Sequence, residues 1–253
     1  MTLVDVLVLQ HIDCEPPGVY EDVLRERGAR LHRVEVDAGE PLPPWKRFDA
    51  ILAMGGPMSA NDDDELPWLA EEKALIAAAV RAGTPFWGVC LGVQLLAASL
   101  GARVYPGPEP EVGVLPVELT EAARSDPVFG ILPPTVYTLQ WHGDTFDLPG
   151  GAVRLAGSIS YPNQAFRYGD AYGVQFHLEV SAAMAREWAE VPAYEASLER
   201  ALGPGGTAVL LRAVEEHGDD MLAHGRSLFE RWLDLVVQDA AIPVEATVGG
   251  RDG

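Results

Sequence analysis

Through the first ninety residues, short runs of aliphatic and β-branched residues alternate with stretches of helical periodicity, and glycine closes the helical ones. Extended runs fall at Leu3–Leu9, Ala29–Val36, Phe48–Met54 and Thr84–Val89. Between them, helical patterns cover Val19–Arg27, ending at Gly28, and Leu66–Arg81, stopped by Gly83; a third, Gly92–Leu100, is closed by Gly101. Parallel neighbours need a crossover connection, usually a helix, so this rhythm predicts a doubly wound α/β layer with a mostly parallel sheet.

Beyond Ala102 the texture changes. Candidate strands at Gly113–Leu119, Thr135–Trp141, Val153–Ser158, Gln164–Tyr168 and Ala171–Phe176 follow one another with few helices between, which predicts antiparallel strands added to the same sheet. From Ser181 onward the pattern is helical, broken at Gly203-Pro204-Gly205-Gly206. The predicted organisation is a catalytic domain over residues 1–190, a helical extension packed on it over 191–241, and a loose tail over 242–253.

Composition narrows the function classes. At 253 residues and 48% hydrophobic content the chain can bury one large core. Its 18 Lys and Arg against 38 Asp and Glu give a net charge of -20, which opposes binding to phosphate backbones and anionic lipid surfaces, so neither nucleic acid nor membrane is an expected partner. The N-terminal Met1–Gln10 is apolar but carries Asp5 and lacks a basic flank and cleavage site, so it reads as a first strand rather than a secretion signal. No apolar run approaches the roughly 18 residues of a membrane span, and the expected location is cytoplasmic. Two cysteines, Cys14 and Cys90, are too few for a disulfide scaffold or a thiolate zinc site. No metal or cofactor is expected, and a notable thiol is a reactive one.

Gly88-Val89-Cys90-Leu91-Gly92 lies between an apolar strand and a helix, the setting of a nucleophile elbow with cysteine in place of serine. Glycines on both sides let strand and helix approach closely, and the helix N-terminus favours a thiolate. The alternative is a small buried cysteine in a tight turn. A cysteine nucleophile needs a base, and the base an orienting acceptor. His177-Leu178-Glu179 supplies both after a strand, with the two side chains on one side if the chain stays extended. The same His-x-acid spacing recurs at His11/Asp13, His142/Asp144 and His217/Asp219. His217 reads as part of a solvated acidic helix, and His11, at the carboxyl edge of the first strand, as a loop-stabilising residue or a site neighbour. His142, in Gln140-Trp141-His142-Gly143-Asp144, also follows a strand, and the residues alone leave the base divided between His142 and His177. Met54-Gly55-Gly56-Pro57, after another strand, is either a plain turn or a loop whose N–H groups join that of Leu91 in stabilising an oxyanion.

Other features carry less chemistry. Asp62-Asp63-Asp64-Glu65 is expected to cap and complement the helix that follows it rather than hold a cation. Gly203–Gly206 lacks the Lys-Ser/Thr of a phosphate loop, and Cys14 has no elbow around it. Trp188 and the segment from Leu228 to Val237 read as packing residues.

Gly55-Gly56-Pro57, Gly88-Val89-Cys90-Leu91-Gly92-Val93-Gln94 and Gly173-Val174-Gln175-Phe176-His177-Leu178-Glu179, in this order, resemble the class I, or triad, glutamine amidotransferases, over roughly residues 1–185. The nearest resemblance is to stand-alone proteins similar to the amidotransferase domain of GMP synthase. It implies a flavodoxin-like fold with Cys90 as nucleophile, His177 as base and acid, and Glu179 holding the imidazole. It further implies Gly56 and Leu91 as oxyanion donors, Gln94 as a glutamine contact, and His142 as a residue near the glutamine pocket. The implied reaction is glutamine hydrolysis through a γ-glutamyl thioester, with the ammonia passed to a separate ATP-dependent synthetase subunit. The sequence shows no phosphate loop and no Ser-Gly-Gly-x-Asp-Ser pyrophosphatase loop, so acceptor activation is expected elsewhere. Two other activities fit the same motifs: γ-glutamyl peptide hydrolysis on the same scaffold, and a regulatory or binding module without turnover. A third resemblance, to the stress-response cysteine hydrolases and deglycases, fits the late His-x-Glu less well.

Overall fold

The structure, a computed structural model, describes residues 4–240. Its elements run β1 (Asp5–Gln10), α1 (Val19–Glu26), β2 (Arg30–Glu35), β3 (Ala50–Ala53), α2 (Trp68–Arg81), β4 (Phe86–Val89), α3 (Leu91–Ser99), β5 (Val104–Leu119) and α4 (Glu121–Arg124). They continue with β6 (Thr135–Phe146), β7 (Val153–Gly157), β8 (Ala165–Tyr168), β9 (Ala171–Val174), α5 (Ala182–Ala189), α6 (Pro192–Leu202) and α7 (Gly206–Ala240). All nine strands form one sheet in the order β2-β1-β3-β4-β9-β8-β7-β5-β6. Strands β1 to β4 are parallel and β5 to β8 join antiparallel, as the change of texture after Ala102 predicted, but β9, expected among the antiparallel additions, runs parallel to β4 and antiparallel only to β8.

Strands β3, β4 and β9 are buried along their whole length, as expected of parallel strands covered on both faces. The period of two sorts their side chains between two cores. Val6, Val8, Leu52 and Trp87 face α1 and α7, whereas Leu7, Leu9, Ile51 and Phe86 face α2 and α3. Trp87 is the hub of the first core, with ring centroids 5.9 Å from Tyr20 and 5.7 Å from both Phe229 and Trp232. The stretch from Val191 therefore shares its packing with the sheet: Leu198, Leu210, Val214, Leu228 and Trp232 belong to the same buried cluster as β1, β3 and β4. The expected tail, residues 242–253, lies outside the described residues. Among those described, no helix is long and apolar enough to cross a membrane.

Strands β5 and β6 are longer than predicted. Pro106, Pro108 and Pro110 fall in a bulge where the register slips between Pro106 and Glu111 and pairing then resumes. Pro116 stands where β7 does not reach, since that strand pairs only with Glu118 and Leu119. The acidic run before α2 also departs from expectation. Pro67 occupies the helix N-cap with no side-chain cap, while Asp62 accepts from Ser59 N and Asp63 pairs with Lys73 at 2.6 Å. Leu66-Pro67 makes the helix start later than the acids, so they stabilise the preceding turn instead.

Candidate active site

Cys90 ends β4 and stands at the N-cap of α3, and it is the one non-glycine residue with positive φ, 51°, among the described residues. That strained geometry marks a sharp strand-to-helix turn. The flanking glycines are required by contact. A Cβ on Gly88 would lie 2.6 Å from the Gly92 carbonyl oxygen, and one on Gly92 would lie 2.2 Å from the Ala53 carbonyl oxygen. Backbone bonds fix the turn further, from Cys90 N to Val174 O at 2.8 Å and from Gly92 N to Met54 O at 3.1 Å.

His177 is brought to the sulfur by an unpredicted detour. Strand β9 ends at Val174 instead of Phe176, and the chain swings across to bridge β6: His177 N donates to Leu139 O at 2.8 Å, and Leu139 N to His177 O at 3.1 Å. The imidazole is buried and bonds through Nδ1 to Glu179 Oε1 at 2.7 Å, while Glu179 Oε2 accepts from Leu178 N at 3.0 Å. Burial alone pushes the imidazole pKa down, but the Glu179 carboxylate and the neighbouring Cys90 side chain outweigh it and hold it well above its ordinary value. Trp188 packs edge-on against this ring at 4.8 Å and donates its indole N–H to Cys14 O. It was expected only to fill the core.

The rival histidine is arranged differently. The segment Gln140–Asp144 lies inside β6, not after it, because the β5–β6 pairing continues to Phe146. His142 lines the pocket in front of Cys90, but Nδ1 faces the Asp144 carbonyl at 3.0 Å, and Nε2 faces Gln140 Oε1 at 3.1 Å and Glu111 Oε2 at 3.3 Å. Its ring is committed to the protein. His217 is half-buried and stacks on Tyr137 at 4.8 Å, in place of the free solvated face expected.

His11 takes the loop-holding role. Its Nδ1 bonds the carbonyls of Met54 and Gly55 at 3.0 and 3.2 Å, and its Nε2 sits 3.0 Å from both oxygens of the buried Glu72. Burial opposes the charged ring, but Glu72 and the Gly55 carbonyl raise its pKa overall. The two loop carbonyls are thus turned onto His11 beside the elbow. Among the described residues the N–H groups of Gly56 and Leu91 have no acceptor, and both residues line the pocket.

Gln94 is buried, lines the same pocket and donates to Gln175 Oε1 at 3.1 Å; Gln175 in turn reaches Cys90 Sγ at 3.5 Å. Two further neighbours had no sequence signal. Glu15 is fully buried, with Oε2 2.1 Å from the point a Gly55 Cβ would occupy, and that point is 3.4 Å from Cys90 Cβ, so the carboxyl and the Cys90 side chain crowd the space one glycine leaves. Desolvation raises its pKa, opposed by His177 and by the hydrogen bond it accepts from Tyr194. Tyr194 comes from α6, beyond all three motifs. Only a buried polar residue among apolar ones, as Gln175 is within β9's continuation, could have been picked out beforehand. The second thiol, Cys14, is half-buried, and burial pushes it up to about 11.

The pocket has a volume of about 250 Å³, with Cys90 and Leu91 among the residues that line it. No cluster of three or more His, Cys, Asp or Glu side chains among the described residues is placed to hold a metal ion.

The profile of the family described as glutamine amidotransferase class-I matches residues 13–187. The glutamine amidotransferase-like protein YfeJ of Salmonella typhimurium is 37% identical over 174 residues, covering 67% of this chain and 73% of that one. A glutamine-hydrolyzing GMP synthase of Thermomicrobium roseum is 37% identical over 135 residues, which are 52% of this chain but only 23% of the synthase. Among solved structures, a glutamine amidotransferase of Thermotoga maritima superposes with a TM-score of 0.83 at 36% identity, covering 92% of this chain and 100% of its own.

Proposed function

The chain belongs to the class-I glutamine amidotransferase family, and from that premise we propose that it releases ammonia from glutamine with Cys90 as nucleophile, His177 as acid and base, and Glu179 as orienter. The observation that carries the reading is the buried His177–Glu179 bond of 2.7 Å beside the strained elbow of Cys90, whose side chain is among the groups that raise the imidazole pKa.

In this reading the Cys90 sulfur adds to the glutamine carboxamide carbon, and the resulting oxyanion accepts hydrogen bonds from the N–H groups of Gly56 and Leu91. The C–N bond then breaks as the His177 imidazolium gives its proton to the departing nitrogen, leaving ammonia and a γ-glutamyl thioester. Neutral His177 next takes a proton from water, the hydroxide adds to the thioester, and glutamate leaves as the sulfur regains its proton. Gln94 and Gln175 hold the amide end of the substrate, while His142, with its ring nitrogens already engaged, shapes the wall. The ammonia is passed to a separate ATP-dependent synthetase, an arrangement the likeness to part of a GMP synthase supports.

The test is glutamate release from glutamine by the purified chain beside Cys90→Ala and His177→Ala, with a γ-glutamyl dipeptide in parallel. Glutamine turnover lost in both variants is the expected result. Turnover of the dipeptide alone would move the activity to γ-glutamyl peptide hydrolysis, a second reading favoured by a pocket lining that adds Pro110 and Arg200 to the motif residues.

A further inference from the structure

Behind the loop that follows β3 lies a second buried histidine–carboxylate pair, which the chemistry proposed at Cys90 does not use. His11 follows β1 and Glu72 lies on α2, and both side chains are fully buried. Nε2 of the ring is 3.0 Å from both Glu72 oxygens, while Nδ1 is 3.0 Å from the Met54 carbonyl oxygen and 3.2 Å from that of Gly55. A carbonyl only accepts, so Nδ1 carries a proton and donates it to the loop.

The two carbonyls differ in what else holds them. Met54 O also accepts from Gly92 N at 3.1 Å, whereas Gly55 O has His11 as its only partner among the described residues. The Gly55 carbonyl and the Gly56 N–H are the two ends of one peptide. That peptide is trans, with its C=O and N–H on opposite sides, so drawing the carbonyl onto His11 turns the Gly56 N–H away from the ring. Gly56 lines the pocket together with Cys90 and Leu91. A peptide between two glycines turns more freely than any other, so its orientation has to be held. Here side chains close around it: a Cβ on Gly55 would lie 2.1 Å from Glu15 Oε2, and one on Gly56 would lie 2.6 Å from Met58 Sδ and 3.0 Å from His11 Cβ. Trp68, one turn before Glu72 on α2, stacks on the His11 ring at 5.8 Å.

We infer that the His11–Glu72 pair positions the oxyanion hole: His11 holds the Gly55–Gly56 peptide with its N–H turned to the pocket, and Glu72 supplies the counter-charge that keeps both ring nitrogens protonated. The consequence for rate rests on the reaction proposed at Cys90; the orientation of the peptide does not. His11 is a positioning residue, acting through the Gly56 N–H. Its effect belongs to the transition state, where charge develops on the substrate oxygen, and not to the binding of glutamine.

Changing His11 alone leaves a buried carboxylate without its cation, so the test uses the double variant His11→Phe with Glu72→Leu. Apolar groups of similar bulk commonly replace a buried ion pair without loss of the fold. The kcat for glutamine is expected to fall about 10–100-fold with KM within about threefold of wild type. Alkylation of Cys90 by iodoacetamide, a displacement at a saturated carbon that forms no oxyanion, should stay within about twofold of the wild-type rate. Glu72→Gln, whose amide can donate to Nε2 and leave the Nδ1 proton on the carbonyls, should fall between wild type and the double variant in kcat. An unchanged kcat or a rise in KM alone would overturn the inference. So would alkylation slowed in step with turnover, because the elbow itself would then be disturbed. A crystal structure of the double variant reads the orientation directly: the Gly55 carbonyl should be turned away from position 11, and an unmoved peptide would overturn the hold. In a protein inert toward glutamine, a turned carbonyl would uphold the hold on the peptide while the glutaminase reading fell.

Discussion

Both ring nitrogens of His11 face acceptors in a place without solvent, the Met54 and Gly55 carbonyls on one side and Glu72 on the other. The folded state therefore favours the imidazolium against burial, and its pKa is raised. A raised histidine contributes stability that is complete below the unfolded value of about 6.5 and is lost as pH rises through the folded value. His11→Gln, which leaves the Glu72 carboxylate buried without its cation, should cost about 3–5 kcal/mol near neutral pH. In urea titrations the gap between wild type and variant should narrow toward alkaline pH; a gap constant with pH would refute a charged His11. The Cys90 elbow was legible in the residues and the choice among the histidines was not. The Cys90 elbow is flanked by glycines near in sequence, Gly88 set against Gly92 of the helix and Gly92 against Ala53 of β3. His177 is set apart from the other histidines by a tertiary event, its bridge to Leu139, and His-x-acid spacing carries no trace of it.

Among the elements, the parallel strands and their helices were legible because two-sided burial and glycine stops leave a local pattern, as in β3, β4 and the helix before Gly83. The β5–β6 pair was only half legible, since prolines at a bulge look like the end of a strand. Helix α6 is the larger omission. Its amphipathic spacing is ordinary, but its Tyr194 reaches Glu15 and its Ser197 reaches Trp141, contacts between residues more than fifty positions apart. The ring of Tyr194 also packs 5.4 Å from Trp141 and 6.0 Å from Trp188, which itself packs on His177, so the helix is tied to the His177 side of the site through aromatic contacts as well as through the carboxyl. Tyr194→Phe keeps those rings in place and removes only the hydroxyl, leaving Glu15 buried without its donor. A loss of about 1–3 kcal/mol in urea unfolding is expected. Glu15→Gln combined with Tyr194→Phe should cost less than the sum of the single changes; strict additivity would mean that the hydroxyl and carboxyl do not act together.

At the scale of the whole molecule the chain's two ends close one core. The first helix brings Tyr20 against Phe229 at 4.7 Å, and Arg226 pairs with Glu26 at 2.7 Å, so α1 and α7 cover the same sheet face together. The helix furthest along the sequence also lies directly behind the site. A Cβ placed on Gly225 would sit 2.4 Å from the Leu178 carbonyl oxygen, in the residue between His177 and Glu179. Gly218, two turns earlier on the same helix, has nothing within 4 Å of the corresponding point. Alanine at the two positions should therefore act in opposite directions. Gly218→Ala removes only the helix penalty of glycine and should stabilise by up to about 1 kcal/mol. Gly225→Ala gains the same helix preference but must push α7 away from backbone that holds the proposed base and orienter, so a net loss of about 1–3 kcal/mol is expected, as for an overpacked core. The strain falls on the His177–Glu179 segment, so glutamine turnover should drop in Gly225→Ala, measured well below its melting temperature, and stay at the wild-type rate in Gly218→Ala. Equal stabilisation by both alanines, with turnover untouched, would show that α7 can be moved without consequence for the site and that its packing behind Glu179 is incidental.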